Sequence, residues 1–462
     1  MKRLTTIACT LTLASLALGA SGCAKGRRST FSSTVATSSS STTTTIATVT
    51  TSSGAAPVSS APAPAAPVTP PPSFANPGTG IFIDGSVALP ASSTDDFALA
   101  IGDFDGDGDL DLFIGANGAP SRLLRNDRGT FGEAAGAFPT LVMRVTDAHA
   151  VDVDKDGDLD LVVASNFQPV RVFENDGKGV FTLTGSAATN NDTYTYKLAV
   201  ADFDGDGYPD VFMANAGQST VSRGQNRLLL NDRTGGLREA PAGSLPALLD
   251  DSIGVVALDF DKDGDQDIYV ANFGTAHRLL QNDGTGRFRD GSDTYLPPIV
   301  TYGTSVAAAD FDGDGYLDLY VGNEGAAVNG NPPTGQKNTL LIGGPTRFVD
   351  SSLGLPDHVD ATFGVVVLDA NGDGKPDVAT ANLRGAQKLY LNLNGRLVDA
   401  TPNLPALNTT GVSDSLAVGA ADLNGDKAPD LLFLQRGQTP WLFLNVPRAS
   451  SPTTTSNAIK AP

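Results

Sequence analysis

The sequence predicts an all-β fold assembled from a repeated unit, and three observations support this prediction. An acidic segment with the general pattern DxDxDGxxD, first met at 103–111, recurs about every 50 residues, a period typical of repeat proteins. Short apolar runs typical of β-strands lie on both sides of each copy. Turn-forming Asn, Asp and Gly residues separate the last two runs of most units. The seven copies begin at Asp103, Asp152, Asp202, Asp259, Asp310, Asp369 and Asp422.

Residues 1–23 resemble the signal peptide of a bacterial lipoprotein. Lys2 and Arg3 precede an apolar run, 4–18, that is too short to span a bilayer. Small residues then lead to Cys23, although Ala20 stands where Leu is commoner in that family. The resemblance implies that Cys23 is lipidated and anchors the exported protein to the bacterial envelope, at the outer membrane or cell surface. The alternative is an ordinary signal peptide with a chance cysteine.

Residues 24–78 are dominated by Ser, Thr, Pro and Ala. Such a composition cannot bury a core, so we expect a disordered tether with a reach of roughly 40 Å. Residues 447–462 have a similar composition and are expected to form a disordered tail. The folded domain is therefore predicted to span 79–446.

Each repeat is predicted to contain four antiparallel strands, A to D. A small-residue strand A, such as 98–101, precedes the acidic loop, and a strongly apolar strand B, such as 112–114, follows it. Strand C, such as 122–125, ends in a turn that leads to strand D, which carries an aromatic residue or Leu. Four antiparallel strands in about 50 residues form one blade of a β-propeller, and small side chains suit the crowded innermost strand.

The seventh repeat ends at Asn445 without a strand D, whereas residues 80–86 resemble the strand D of other repeats. We therefore predict that the N-terminal strand completes the last blade and closes a seven-bladed ring. Closure of this kind removes an exposed sheet edge.

The acidic loops have the chemistry of a hard-cation site. Side chains at positions 1, 3 and 5 can surround one centre, position 7 can offer its carbonyl oxygen, and Asp at position 9 completes the set. Because all donors are oxygen and the loop is flexible, Ca²⁺ suits it better than Mg²⁺. The alternative is a set of acidic turns without metal.

An EF-hand is excluded because it requires Glu at position 12 and flanking helices. Position 12 in the seven loops is occupied by Ile114, Val163, Met213, Val270, Val321, Thr380 and Phe433.

With these features the sequence is similar to the FG-GAP/VCBS repeats of integrin-type seven-bladed β-propellers, in which this loop binds Ca²⁺. The resemblance implies up to seven Ca²⁺ sites, the seventh departing from the pattern because Lys427 replaces Gly at position 6. The predicted metal-binding residues are Asp103, Asp105, Asp107, Asp109 and Asp111; Asp152, Asp154, Asp156, Asp158 and Asp160; Asp202, Asp204, Asp206, Tyr208 and Asp210; Asp259, Asp261, Asp263, Asp265 and Asp267; Asp310, Asp312, Asp314, Tyr316 and Asp318; Asp369, Asn371, Asp373, Lys375 and Asp377; and Asp422, Asn424, Asp426 and Asp430.

The composition narrows the function. The formal net charge is −20, most of the excess lies in the acidic loops, and no basic face is evident, which argues against nucleic-acid binding. We find no G-x-S-x-G, P-loop, H-E-x-x-H or Rossmann motif, and His149, His277 and His358 are scattered. Three functions remain: a monomeric, non-catalytic binding or adhesion module for a glycan or protein, which we favour; a polysaccharide-active lyase or hydrolase; and a scaffold subunit of an envelope assembly.

The partner is predicted to bind the face opposite the metal loops, because that face carries the two long B–C loops, 215–226 and 323–337. These loops are expected to flank the shorter loop of the fourth repeat, with Phe273 and His277, and to form a trough. The residues expected to line it are Arg223, Gln225, Glu324, Asn329, Asn331 and Gln336, with Tyr194, Tyr196, Tyr295 and Tyr302 nearby.

Overall fold

Strands and loops make up nearly all of the part of the chain that the computed structural model describes, residues 78–186, 194–217, 224–327, 332–406 and 414–448. These residues belong to one compact unit, Pro64–Pro462. A second unit, Met1–Ala63, lies outside the described residues, and Cys23 with it. Within these described ranges the helical segments are one α-turn, α1 (Ser292–Tyr295), and 3₁₀ turns at Ser86–Ala88, Ser352–Gly354 and Thr401–Asn403. None of the helices in the described ranges is long and apolar enough to cross a membrane.

The described strands form seven antiparallel groups of four, numbered here as units 1 to 7, with the first strand of the chain, β1 (Gly78–Asp84), serving the last unit. In the order A, B, C, D, they are β2 (Asp96–Gly102), β3 (Asp111–Pro120), β4 (Arg122–Asp127) and β5 (Thr130–Glu133); β6 (Val142–Val151), β7 (Asp160–Ser165), β8 (Arg171–Asn175) and β9 (Phe181–Ser186); β10 (Tyr194–Ala201), β11 (Asp210–Ala216), β13 (Arg227–Asn231) and β14 (Leu237–Glu239); β16 (Ser252–Leu258), β17 (Asp267–Ala276), β18 (Arg278–Asn282) and β19 (Phe288–Asp290); β20 (Val300–Ala309), β21 (Asp318–Asn323), β22 (Thr339–Ile342) and β23 (Val349–Asp350); β24 (Ala361–Leu368), β25 (Asp377–Leu383), β26 (Lys388–Asn392) and β27 (Leu397–Asp399); and β28 (Ser415–Ala421), β29 (Asp430–Gln435), β30 (Trp441–Pro447) and β1. A further pair, β12 (Gly224–Gln225) and β15 (Leu249–Asp250), ties the B–C loop of unit 3 to the connection that follows its strand D.

The prediction that the N-terminal strand completes the last unit is confirmed. β1 pairs antiparallel with β30, with Phe82 opposite Asn445 and Ile83 opposite Leu444. The side chain of Phe82 is buried together with Phe433 and Phe443 of the same unit. The last unit is thus held together by strands from both ends of the described chain.

The hydrophobic core lies between neighbouring units. Apolar side chains of strands B and C from one unit pack against those of the next, as Phe113 of unit 1 does with Phe173 of unit 2 in one buried cluster. Among the described residues, each of seven such clusters joins two successive units, and one joins Leu432 of unit 7 to Leu112 of unit 1. The strands A also contact one another in sequence, and β28 contacts β2. A closed ring of antiparallel sheets is the arrangement of a β-propeller.

Every strand A carries a β-bulge near its first residues. In β2, Asp96 pairs with Ala116 and Ala98 with Gly115, so that Phe97 has no partner in β3. The same irregularity recurs at Thr146, Tyr196, Ile253, Thr304, Phe363 and Leu416. The extra residue of a bulge points its side chain in a different direction from its neighbours in the strand. The seven bulge residues lie in a ring at the end of strand A remote from the acidic loop.

Candidate metal sites and the opposite face

Hydrogen bonds inside each acidic loop fix the orientation of its carboxylates. In unit 1 the carboxylate of Asp103 accepts hydrogen bonds from the amides of Gly106 (2.8 Å) and Gly108 (3.0 Å). Asp107 accepts one from the amide of Asp109 (2.9 Å). Asp side chains favour this bonding to nearby backbone, which makes the loop wrap around its own acidic groups.

The wrapping brings carboxylates together in five of the loops within the described residues. In each of these, three residues offer oxygens that all lie within 4.8 Å of one another. The groups are Asp103, Asp105 and Asp107; Asp152, Asp154 and Asp160; Asp202, Asp204 and Asp206; Asp259, Asp261 and Asp263; and Asp310, Asp312 and Asp318. In units 6 and 7 position 3 is Asn371 or Asn424, whose amide oxygen accepts from the backbone at position 5 (2.9 Å in both).

These groups fit a hard cation. One carboxylate oxygen each of Asp105, Asp259 and Asp261 is buried and has no hydrogen-bond partner. A buried acceptor without a donor, among other carboxylates, is costly unless a positive charge satisfies it. Oxygen donors alone are the set that Ca²⁺ prefers. Coordination by the individual residues of all seven loops stays a prediction.

Asp at position 9 joins the loop to strand C. Asp111 accepts hydrogen bonds from the amides of Phe104 (3.2 Å) and Asn126 (2.8 Å), and the equivalent pair of bonds is made in all seven described units. Burial raises the pKa of Asp111 to about 6 and that of Asp430 to about 8, and neighbouring carboxylates add to the rise. A cation in the loop favours the ionised form and opposes both effects.

Two positions in the loop need a left-handed backbone, whereas the sequence pointed only to position 6. In unit 1 Gly106 at position 4 has φ 75° and Gly108 at position 6 has φ 95°. Lys427 takes position 6 of unit 7 with φ 72°, a conformation that disfavours a side chain. At position 4, Lys155 and Lys262 have φ 64° and 62°. Their ammonium groups lie 4.8 and 3.8 Å from the ring centres of Tyr208 and Tyr316 in the next loops.

Asn side chains at the end of strand C link neighbouring acidic loops, and we name this contact the asparagine clasp. The amide nitrogen of Asn231 donates to the carbonyl of Pro209 in its own loop (3.1 Å) and to that of Val153 in the preceding loop (2.8 Å). The other clasp residues are Asn126, Asn175, Asn282, Asn392 and Asn445, and Asn126 reaches Leu423 of unit 7. Unit 5 has Gly343 at this position, where an added Cβ would meet the carbonyl oxygen of Leu317 at 2.2 Å.

At the opposite end of the strands, the bulges surround a cavity on the ring axis. Its volume is about 30 Å³, and its wall is shared by most of the units. The lining residues are Phe97, Asn117, Thr146, Asn166, Tyr196, Lys197, Ile253, Thr304 and Phe363. No local pattern in the sequence indicates this site, because its residues are separated by up to 266 positions and meet only through ring closure.

Next to the cavity lies an ion pair between Lys197 and Asp147. The ammonium of Lys197 donates to Asp147 (2.9 Å), which also contacts His149 (3.1 Å) and accepts from the amide of Leu198 (2.8 Å). Asp147 is buried, yet the charge of Lys197 and the hydrogen bonds from His149 and Leu198 hold its pKa well below its usual range. The Lys197 charge is therefore balanced within the protein.

The predicted trough is only partly described. Arg223, Asn329 and Asn331 lie outside the described residues. The side chain of Gln336 accepts from the amide of Tyr302 (2.9 Å), and Tyr302 packs against Phe273 with ring centres 4.9 Å apart. Gln225 bonds to the carbonyl of Pro246 (3.2 Å).

Two residues differ from the prediction. Tyr295 packs against Phe260 of the fourth acidic loop, because α1 turns its ring inward. His277 is 3% exposed, bonded to Tyr269 (2.6 Å) and Thr301 (2.9 Å), and so cannot line an open trough.

Comparisons with known proteins agree with the repeat. A family model described as FG-GAP-like repeat matches residues 103–163, 152–213, 214–270, 259–321 and 369–433, more than half of the chain. Cartilage acidic protein 1 of Xenopus tropicalis is 30% identical over 183 residues, 37% of this chain and 27% of that protein. Its counterpart in Mus musculus is 24% identical over 317 residues, 53% of this chain and 49% of that protein.

Phosphatidylinositol-glycan-specific phospholipase D of Bos taurus is 30% identical over 156 residues, 29% of this chain and 18% of that protein. The chain thus spans at most about half the length of these curated relatives. A solved Agrocybe aegerita lectin that recognises non-reducing terminal N-acetylglucosamine superposes with a TM-score of 0.41 at 18% identity, over 66% of this chain and 79% of that chain. A likeness this weak says nothing about a binding site.

Proposed function

We propose that this chain, which belongs to the family of FG-GAP-like repeat proteins, is a calcium-stabilised, seven-bladed β-propeller that acts as a non-catalytic binding or adhesion module. Its ligand is a glycan or protein that docks on the face opposite the acidic loops. One observation carries the proposal: the two ends of the strands have different chemistry. Carboxylates crowd the loop end, whereas aromatic rings and amide groups gather around the axial cavity at the other. Such a surface, on a scaffold stiffened at its far side, suits recognition.

The count of seven blades is supported by the seven described four-stranded units and by the contact of β28 with β2. Calcium is proposed as a stabiliser because each loop otherwise gathers like charges. A ligand that binds only the folded state adds about 2.7 kcal/mol when its concentration is 100 times the Kd. The test is the melting temperature in millimolar Ca²⁺ against EDTA, with Mg²⁺ as the control ion. Equal values in all three would remove calcium from the proposal.

The binding role is tested with a glycan array and an envelope-protein binding screen, each run with and without Ca²⁺. The matched variants are one with both long B–C loops shortened to the length of the unit 4 loop, and Arg233→Ala at the loop end. Arg233 is a suitable control because its side chain is exposed and bonds Asp206 (2.8 Å). If Arg233→Ala abolishes binding and the loop variant retains it, the ligand binds the acidic-loop face and the proposed face is wrong.

A second candidate, a polysaccharide-active enzyme, is favoured by Glu324. Burial raises the pKa of Glu324 to about 7, the charge of Arg436 opposes the rise, and that of Asp414 adds to it. A protonated carboxyl near a second carboxylate is the pair that glycoside hydrolases use. Release of reducing ends from a polysaccharide panel, abolished in Glu324→Gln, would establish this function instead. Binding without release supports the module.

The proposed location is the bacterial envelope, with the protein held by a lipid on Cys23. The observation behind it is the order of charged, apolar and small residues in 1–23. In cells fed an alkyne fatty acid, Cys23→Ser should lose the label and leave the membrane fraction. A labelled variant would place the lipid elsewhere.

A further inference from the structure

We propose that the axial cavity is the subsite for the uncharged, hydroxyl-bearing end group of a glycan, and that the aromatic row beside it supports the sugar ring. This inference deepens the proposed function and rests on it. The cavity is framed by the bulge residues, so its wall includes Phe97, Tyr196 and Phe363. One water-sized group needs about 10–15 Å³, and about 30 Å³ therefore admits about two. A hydroxymethyl group has this size, whereas a whole sugar ring does not.

The polar groups around the cavity are not fully used by the protein. The side-chain oxygen of Asn166 is buried and has no hydrogen-bond partner. Within the described ranges, the hydroxyl of Tyr196 and the side-chain amide of Asn117, which is exposed, make no hydrogen bond to another protein group. A buried amide oxygen without a donor costs free energy, and a ligand hydroxyl would satisfy it. These groups can both donate and accept, as hydroxyls do.

Charge excludes other end groups. An anionic group requires an uncompensated cation, but Lys197 is neutralised by Asp147 at 2.9 Å. An ammonium group requires a carboxylate in contact with it, and no carboxylate lines the cavity in the described part of the chain. Glu324 and Asp251 act on the Tyr196 hydroxyl through their charge without a hydrogen bond to it. The space is also too small for an apolar side chain of a peptide. An uncharged hydroxyl matches the hydrogen-bonding groups of Asn166, Tyr196 and Asn117 that the protein leaves unused.

Three rings lead from the surface to the cavity. Phe167 and Tyr194 have ring centres 4.2 Å apart, and Tyr194 is 6.1 Å from Tyr196. All three side chains are partly exposed. Phe167 has φ 58°, a strained conformation for a bulky residue that tends to persist at functional positions. The row presents apolar faces on which a sugar ring attached to the buried hydroxyl can lie.

The test titrates Ca²⁺-loaded protein with methyl glucoside, galactoside and mannoside, followed by saturation-transfer NMR, and repeats it with the 6-deoxy analogue of any that binds. Tyr196→Phe and Asn117→Ala each remove one group that makes no internal bond, so both should fold with an unchanged melting temperature. The control is Tyr295→Phe, because this ring packs against Phe260 of the fourth acidic loop and lies neither in the trough nor in the cavity. One hydrogen bond corresponds to about a three- to tenfold change in affinity.

We expect the two cavity variants to bind three- to tenfold more weakly and Tyr295→Phe to bind as the wild type. The 6-deoxy analogue lacks the hydroxyl that Tyr196 is proposed to bond. It should therefore bind the wild type and Tyr196→Phe with the same affinity. Unchanged affinity in the cavity variants overturns the inference while leaving the binding function intact. Failure of every probe to bind the wild type overturns the sugar assignment, and the glycan and protein screens then decide the proposed function separately.

Discussion

Replacing Asn231 with Ala should destabilise the protein strongly, although its side chain makes no hydrogen bond to a predicted metal ligand. Asn231 is 1% exposed, and its side chain makes three hydrogen bonds. It donates to the carbonyls of Val153 (2.8 Å) and Pro209 (3.1 Å), and it accepts from the amide of Arg233 (2.7 Å). The substitution removes all three and leaves the Val153 carbonyl buried without a donor.

The magnitude follows from these contacts. The bonds with Pro209 and Arg233 contribute about 1 kcal/mol each, and loss of the third bond leaves the buried Val153 carbonyl unsatisfied, at a cost of about 1–3 kcal/mol. The expected loss is therefore about 3–5 kcal/mol, a large share of the roughly 5–15 kcal/mol by which a domain is stable. It exceeds the usual effect of a point substitution, about 1 kcal/mol, because the clasp joins two loops at once.

The assay is urea unfolding in excess Ca²⁺, with the free energy of unfolding obtained by linear extrapolation. Asn117→Ala is the matched control, since that side chain is exposed and makes no bond to another described group; it should stay within about 0.5 kcal/mol of the wild type. If Asn231→Ala matches this control, the clasp does not stabilise the ring and the reasoning fails.

Three further predictions concern other parts of the ring. Lys427→Gly should raise the Ca²⁺ affinity and melting temperature, because relief of the left-handed conformation is worth about 1–2 kcal/mol; a lower affinity would mean that Lys427 contributes favourably. Deletion of 78–84 should expose the edge of β30 and cause aggregation or a large loss of stability by light scattering and melting, whereas a monomeric, equally stable variant would refute closure by β1. Burial lowers the pKa of His277 to about 4 from 6.5, so below pH 6.5 the unfolded chain binds a proton that the folded protein does not. The free energy of unfolding should therefore fall by up to about 1.4 kcal/mol per pH unit between pH 6.5 and 4. His277→Gln should remove this part of the pH dependence, as measured by urea unfolding at several pH values.

Much of the ring followed from the sequence because its signals are local. The acidic segment, the apolar run of strand B and the turn before strand D lie within one repeat, so each could be identified from spacing. The role of 80–86 was also predictable, since its pattern matches a strand D that the seventh repeat lacks. β1 pairs with β30 as this pattern requires.

Other features depend on contacts between repeats. The Asn residues that end strand C were interpreted only as turn formers, yet Asn126 and its equivalents reach the preceding loop. Their recurrence at one position in six units was the available signal. The bulges could not be predicted, because the sequence pattern of strand A does not change where the extra residue lies. The left-handed conformation of Lys155 and Lys262 could not be predicted either, because Gly is the usual residue there. The axial cavity requires side chains from six units, which no local pattern can bring together.

The pairing of β1 with β30 has a topological consequence. Gly78 lies opposite Pro447, so the polypeptide enters and leaves the ring at adjacent points. The chain is in effect a circle interrupted once, between strands C and D of unit 7. Joining Pro447 to Gly78 and reopening the chain between Asn231 and Leu237 would preserve every strand pairing and merely move the interruption to unit 3. The linear order of the units is thus one of several circular permutations that encode the same molecule.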